Sequence, residues 1–189
     1  MKEKKLIRYR LGVSRYFPMT HPQKGLSTYF KEKIQTAVSD DYDPCAGCFD
    51  ADPCSVCGWP EILKEIWPKL HTIRANYCLW EKRFKKILSG DAVIDLFYWS
   101  DKPYRSKQIV FTTLSKEDGI GIQKIEFLPD GDGCRSLGWP SIDEDWHQSP
   151  SGPIVAKNDG LSFEDWLSWF RSYDLSEPMA IIHFTKFRY

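Results

Sequence analysis

The chain has 189 residues, enough for one domain of ordinary size that hides about 70% of its extended surface on folding. Apolar residues make up 42%, aromatics 15% and charged residues 28%, which excludes a disordered or fibrous chain. The 26 Lys and Arg balance 26 Asp and Glu, so no polyanion-binding argument can rest on whole-molecule charge.

From the first residues the chain reads as soluble. No run approaches ~18 apolar residues, and Met1-Lys-Glu-Lys-Lys leads into a strand-like segment, not into the apolar stretch of a signal peptide. A cytoplasmic protein with no membrane partner is expected. Residues 1–36 carry nine Lys and Arg against two Glu, whereas residues 40–53 hold five Asp. One face is therefore expected to be basic, a property that suits a nucleotide or RNA and equally describes uneven solvated loops. From Leu6 to Val13, Ile7, Tyr9, Leu11 and Val13 alternate with Arg8, Arg10 and Gly12, the period of a half-buried strand. Pro18, Pro22 and Gly25 end it. Ser27 then reads as the N-cap of a helix to Val38, with Phe30, Ile34 and Val38 along one side.

Composition changes abruptly over residues 39–60, rich in Asp, Pro, Gly and Cys, as expected of an insertion held by a metal instead of a core. Cys45, Cys48, Cys54 and Cys57 form two Cys-x-x-Cys pairs around Phe49-Asp-Ala-Asp-Pro53. Four thiolates can hold a tetrahedral zinc, a structural cofactor, and Cys57-Gly58 supplies a tight turn beside one sulfur. The five-residue spacer is shorter than the common ribbon spacing of about fifteen, so redox-active thiols and an iron–sulfur cluster stay open as alternatives. Cys78 and Cys134 read as small isolated thiols. Glu61–Trp67 is a short helix closed by Pro68.

Downstream, Lys69–Asn76 leads into a strand, and Trp80, Phe84, Ile87 and Leu88 predict a helix over Tyr77–Leu88, ended by Gly90. Strands follow at Ala92–Trp99, Ile109–Leu114 and Ile120–Phe127. A Gly- and Pro-rich surface loop is expected from Pro129 to Pro153. Ser162 caps a last helix, with Asp165 closing a capping box, Leu161 stapling to Trp166, and Phe163, Trp166, Leu167 and Phe170 as the apolar stripe. Ala180–Tyr189 is a terminal strand. The pattern predicts an α+β fold with a small curled or closed sheet.

Pro68-Lys69-Leu70-His71-Thr72-Ile73-Arg74 puts an amine, a hydroxyl and a guanidinium close together. A regular strand separates Lys69 from Thr72 by alternation, and a bulge near Pro68 reunites them. In one pocket, Arg74 and burial depress the Lys69 pKa, leaving an amine able to take the Thr72 proton; on an exposed strand the same residues make ordinary surface contacts.

Lys69-x-x-Thr72-Ile73-Arg74 resembles the K-x-x-T-I-R signature of the ASCH domain family, part of the PUA-like barrel group. Ala156-Lys-Asn-Asp159-Gly160-Leu161-Ser162-Phe163 resembles that family's second segment, before its closing helix and strand. The resemblance spans most of residues 6–189 apart from the cysteine insertion, and implies a single PUA-like small β-barrel with flanking helices. Its members include amidohydrolases acting on 4-acetylcytidine, nucleases, and domains proposed to bind RNA. In the amidohydrolases the motif lysine, threonine and a glutamate carry the reaction, which assigns catalytic roles to Lys69, Thr72 and Asp159. Aspartate here shortens the carboxylate by one methylene.

Trp99-Ser-Asp-Lys102-Pro-Tyr104-Arg105-Ser-Lys107-Gln108 mixes aromatics and cations as a loop that stacks a base and contacts phosphate does, or as rings that simply cover the end of a barrel. Arg74, Trp99, Lys102, Tyr104, Arg105 and Lys107 are the expected ligand contacts, with RNA or a modified nucleoside as partner. His71 draws interest through its neighbours, and His21, His147 and His183 read as turn, surface and strand residues. Three functions are thus expected in order: a nucleoside or RNA reader, an amidohydrolase, and a protein-protein adaptor built on the cysteine insertion.

Overall fold

Alternating patterns along the chain resolve into two separate hydrogen-bonded ladders. The computed structural model describes residues 6–39, 67–129, 135–145 and 147–189. In chain order the elements are β1 (Ile7–Gly12), α1 (Phe30–Ala37), β2 (His71–Arg74), α2 (Tyr77–Leu88), β3 (Ala92–Trp99), β4 (Gln108–Leu114), β5 (Gly121–Pro129), β6 (Arg135–Ile142), α3 (Gly152–Asn158), α4 (Phe163–Phe170) and β7 (Met179–His183). A three-stranded sheet runs β1-β3-β4 and a four-stranded one runs β2-β7-β5-β6. The class is α+β, as expected.

A closed barrel was expected, and the described strands do not form one. β1 lies parallel to β3. Ile7 and Val13 direct their N–H groups to Asp91 and Phe97 in and beside β3, so by alternation Gly12 turns its carbonyl to the outer edge. There it accepts a hydrogen bond from Arg74 Nη2 at 2.6 Å, where a closed barrel would offer a strand. On the other side, β4 ends in a 3-10 turn, Lys116–Asp118, capped by reciprocal Ser115 and Asp118 bonds, which redirects the chain into the second sheet.

The helices follow their apolar stripes. Phe30 and Ile34 of α1, Trp80, Phe84 and Ile87 of α2, and Trp166 and Phe170 of α4 join Leu11, Ile94, Leu96, Ile125, Phe127 and Ile181 in one buried cluster. Tyr77–Leu88 is helical from end to end as its spacing predicts. The Ser162 cap is also present, accepting from Asp165 N at 3.1 Å. Ser27 does not cap α1. The helix starts at Phe30, where Thr28 Oγ1 accepts from Phe30 N at 3.3 Å, because Tyr29 takes a left-handed φ of 54°. Leu167 is left at the rim, and Trp169 instead packs on Phe17 and Phe30 at 5.9 and 5.6 Å.

The expected loop from Pro129 to Pro153 contains a strand and the start of a helix. β6 reads Arg-Ser-Leu-Gly-Trp-Pro-Ser-Ile, without alternation and with a proline, which a sheet tolerates only where it leaves no ladder bond missing. Its edge position supplies that tolerance, and Phe127 pairs with Pro140. α3 packs on β6 through Gly152, where a Cβ would sit 2.5 Å from Leu137 O. Gly152→Ala is therefore expected to lower stability by about 1–3 kcal/mol, read as a lower urea midpoint. An unchanged midpoint would mean that α3 does not rest on β6 at this point.

Candidate functional site

Lys69 and Leu70 form a short extended stretch before β2, bonded on three sides. Lys69 N donates to Lys33 O of α1 at 3.1 Å, Leu70 N to Asn158 O of α3 at 2.8 Å, and Phe184 N, past β7, to Leu70 O at 2.9 Å. Because the strand begins only at His71, its alternation does not dictate where Lys69 points. The structure brings Lys69, Thr72, Arg74 and Asp159 together in the lining of one cleft, with Ser14 and Phe30 beside them. Its cavity is about 20 Å³, room for a single water.

The centre of the cleft is a buried ion pair. Lys69 is 2% exposed and Asp159 3%, and Lys69 Nζ donates both to the Asp159 carboxylate and to its main-chain carbonyl. Asp159 is the C-cap of α3, where a cation is favoured against the last carbonyls and a lone carboxylate is not. Lys33 adds a second cation, donating to Gly160 O at 2.6 Å. The Lys69 ammonium also lies 4.2 Å from the centre of the Phe30 ring, a favourable contact with the π face. Gly160 is required twice over. Its φ is +78°, and a Cβ there would meet Lys69 Cβ at 3.1 Å, so only glycine turns the chain and leaves the lysine stem its path.

Burial dominates the electrostatics. It pushes the Lys69 amine down to about 8, with Asp159 holding it up and Arg74 and Lys33 pushing further down. Burial likewise pushes Asp159 up, against the attraction of Lys69 and Arg74. The Trp166 indole N–H approaches that carboxylate but falls short of hydrogen-bond geometry. Arg74 is lowered by burial as well, and its bond to Gly12 O ties the cleft to the edge of the first sheet. Thr72 is buried, and among the described residues its hydroxyl makes no hydrogen bond to Lys69. Both Lys69 bonds go to Asp159.

The other expected ligand contacts do not join this cleft. Trp99, Lys102, Tyr104, Arg105 and Lys107 belong to the β3–β4 hairpin, closed by Ser100 N to Lys107 O at 2.9 Å and Arg105 N to Lys102 O at 3.2 Å. Trp99 is half-buried, packed edge-on to Phe97, and its ring centre is 5.4 Å from that of Tyr104. Tyr104 is 90% exposed with a left-handed φ of 62°, and together with the exposed Lys102, Arg105 and Lys107 it forms a separate surface. Cys45, Cys48, Cys54 and Cys57 lie outside the described residues. Among the described residues no cluster of three His, Cys, Asp or Glu could hold a metal, and no helix is long and apolar enough to cross a membrane.

Residue-by-residue reading missed part of the surroundings. His71 and His183 face each other across β2 and β7, and both are fully buried. His21 is not a simple turn residue: it is buried, stacked on Phe17 at 4.4 Å, with Nε2 3.0 Å from Asp165 O. Tyr189 and Asn158 were not singled out at all, yet both reach the back of the cleft. No pattern in the sequence marks them, because Asn158 ends α3 and Tyr189 lies beyond the strand that pairs with β2.

Comparison of the chain with protein-family models, curated proteins and solved structures finds no match.

Removing one partner of a buried pair leaves the other without compensation. Asp159→Ala is expected to cost about 3–5 kcal/mol near pH 7, measured by chemical denaturation. The sign with pH follows from Lys69: Asp159 holds its folded pKa up near 8, below its unfolded value, and without Asp159 it lies lower still, so that the two proteins differ while wild-type Lys69 is charged and converge as pH rises through about 8. The difference between variant and wild type should therefore shrink toward pH 10. A loss that is small at pH 7, or constant with pH, would contradict a buried pair.

Proposed function

We propose that the cleft recognises a nucleobase or nucleoside, free or within RNA, in a PUA-like domain of the ASCH type. The observation that carries this reading is the convergence of Lys69, Thr72, Arg74 and Asp159 on one small cleft, although Lys69 and Asp159 are 90 positions apart in the chain. Two cationic donors, a hydroxyl that both donates and accepts, and a carboxylate acceptor are the complement of a base edge. The cavity admits only a group about the size of a water, such as a carbonyl or an exocyclic amine, so the rest of the ligand lies at the mouth. The exposed hairpin of Trp99, Lys102, Tyr104, Arg105 and Lys107 suits flanking nucleotides, Tyr104 stacking on a base and the cations meeting phosphate.

A second reading, hydrolysis of an N-acylated nucleoside such as 4-acetylcytidine, draws support from the same cleft. The Lys69 amine is lowered to about 8, and the Thr72 hydroxyl is uncommitted. In that reaction Lys69 takes the proton of Thr72 or of a water, the oxygen attacks the acyl carbonyl, and the proton passes to the departing amine with Asp159 assisting; where Thr72 is the nucleophile, a water then cleaves the acyl-Thr72 ester, releasing the acid and restoring the hydroxyl. The bonding of Lys69 to Asp159 in place of Thr72 favours recognition over hydrolysis. A nucleophile is activated when its base bonds to it.

Nucleoside binding by titration calorimetry, beside cytidine release from 4-acetylcytidine, separates the two. Recognition without chemistry predicts binding that weakens at least about tenfold in Thr72→Ala and Arg74→Ala, the loss of one or two buried hydrogen bonds, with no cytidine released. Release that disappears in Lys69→Ala and Thr72→Ala, with affinity broadly kept in the latter, would make the protein an amidohydrolase. Neither binding nor release would remove the nucleoside reading altogether.

For Cys45, Cys48, Cys54 and Cys57 the proposed occupant is a structural zinc, on the strength of their spacing. Elemental analysis should find close to one zinc per chain, lost on Cys45→Ser with Cys48→Ser, and a zinc-free protein would leave the thiols to redox chemistry. A cytoplasmic setting belongs to the same reading, since thiols are kept reduced there.

A further inference from the structure

Behind the Lys69–Asp159 pair sits an imidazole that recognition of a ligand does not use. His71 is fully buried in β2. Its Nε2 lies 2.7 Å from the Tyr189 hydroxyl, and its Nδ1, which has no hydrogen-bond partner among the described residues, lies 4.0 Å from Asp159 Oδ1. The Tyr189 hydroxyl in turn accepts from Asn158 Nδ2 at 3.1 Å. Tyr189 is held in place through its backbone, its N–H donating to Gln123 Oε1 at 3.0 Å and its carbonyl accepting from Gln123 Nε2 at 3.3 Å.

These contacts choose a tautomer. A phenol has one proton to give, and a neutral imidazole has one donor and one acceptor nitrogen. With Asn158 donating to the Tyr189 oxygen, the phenol proton is best used on His71 Nε2. The imidazole proton then sits on Nδ1 and points at the carboxylate. In the other tautomer the phenol proton has no acceptor and the Nδ1 lone pair faces the Asp159 charge, two losses around a fully buried ring. Burial keeps His71 neutral, helped by His183 and by Lys69. At 4.0 Å the Nδ1–H is a dipole aimed at the carboxylate and not a full hydrogen bond.

We propose that His71 is a positioning residue of the cleft, presenting Nδ1–H to Asp159 in a tautomer fixed by Tyr189 and Asn158, and so setting how firmly Asp159 holds the Lys69 proton. The functional meaning of that control rests on the reading of the cleft as a recognition site; the control itself does not. The charged and titratable groups around it are Lys33 from α1, Lys69 and Arg74 flanking β2, His183 from β7 with its ring centre 5.5 Å away, Asp159 at the end of α3, and Arg188 and Tyr189 beyond β7. His71 alone among them lies between the carboxylate and a hydroxyl that dictates its protonation.

Two substitutions separate the nitrogens. An asparagine amide can place its NH2 where Nδ1 lies, and a glutamine amide can place its carbonyl oxygen where Nε2 lies, to accept the Tyr189 proton. His71→Gln therefore keeps the Tyr189 contact and removes the donor facing Asp159, whereas His71→Asn keeps that donor. Tyr189→Phe removes the hydroxyl that selects the tautomer and retains the ring. The readout is the neutral fraction of Lys69 at pH 7, from the 15Nζ chemical shift of lysine-labelled protein followed against pH, with no nucleoside present. In His71→Gln and Tyr189→Phe the carboxylate loses a competing donor and holds the Lys69 proton more firmly. The neutral fraction should fall about two- to threefold, a change equivalent to a few tenths of a pH unit, while His71→Asn stays at the wild-type value. An unchanged Lys69 titration in folded His71→Gln and Tyr189→Phe overturns the proposal. An equal fall in His71→Asn and His71→Gln also overturns it, because packing and not the Nδ1 donor would then be responsible. If His71→Gln fails to fold, Tyr189→Phe decides alone. A protein that binds no nucleoside but shows the expected shifts keeps the positioning role and loses the recognition reading.

Discussion

An ammonium group shut away from water is the constraint around which this end of the molecule is built. Lys69 is 2% exposed, and a buried lysine is tolerated only with a countercharge and with its donors occupied. Asp159 provides the charge and two of the acceptors. Gly160 provides the space for the lysine stem, Phe30 an aromatic face for the ammonium. A pair of this kind is a poor way to gain stability, since well-packed apolar residues do as well or better. Its retention in a cleft with a second cation and an uncommitted hydroxyl is easier to understand as chemistry than as packing.

The architecture answers the same constraint. Hydrogen bonds from Lys69 to α1, from Leu70 to α3 and from Phe184 to Leu70 clamp the backbone before β2, so the lysine cannot drift from the carboxylate without breaking main-chain bonds in three places. Arg74 extends the frame. Its side chain closes on the Gly12 carbonyl at the edge where one sheet ends and the other begins, so the join between the sheets is a side-chain bond adjoining the site. An opening of the cleft that displaced Arg74 would therefore loosen β1 as well.

Much of this was legible in the sequence, for reasons that differ by element. α2 was readable to the residue because Trp80, Phe84 and Ile87 mark one face over three turns, and β3 and β4 because β-branched and aromatic residues dominate them. β6 and α3 were not, since one carries glycine and proline at a sheet edge and the other is a seven-residue helix too short to show a period. The alternation of side chains argued against placing Lys69 with Thr72, and the structure escapes that argument by starting the strand two residues later. His71, Asn158 and Tyr189 were invisible as a group because only the pairing of β2 with β7 and the return of the chain past His183 bring them together.

The resting arrangement also bears on which chemistry the cleft performs. A lysine that acts as a base has to give up its bonds to Asp159 before it can take a proton, and each of those bonds is charge-assisted in a dry setting, where it is strongest. A lysine that reads a ligand faces a milder demand, because an incoming carbonyl or phosphate oxygen can share the ammonium without displacing the carboxylate. Lowering the amine toward 8 serves the first role, whereas holding it beside a fixed carboxylate serves the second. The bonded state favours the reader, and conversion to a catalyst requires a ligand that draws Asp159 away. Such a ligand would have to carry its own donor for the carboxylate, as an amine next to an acyl carbonyl does. On the proposed reading, recognition and hydrolysis would be two outcomes of one cleft, separated by whether the ligand competes for Asp159.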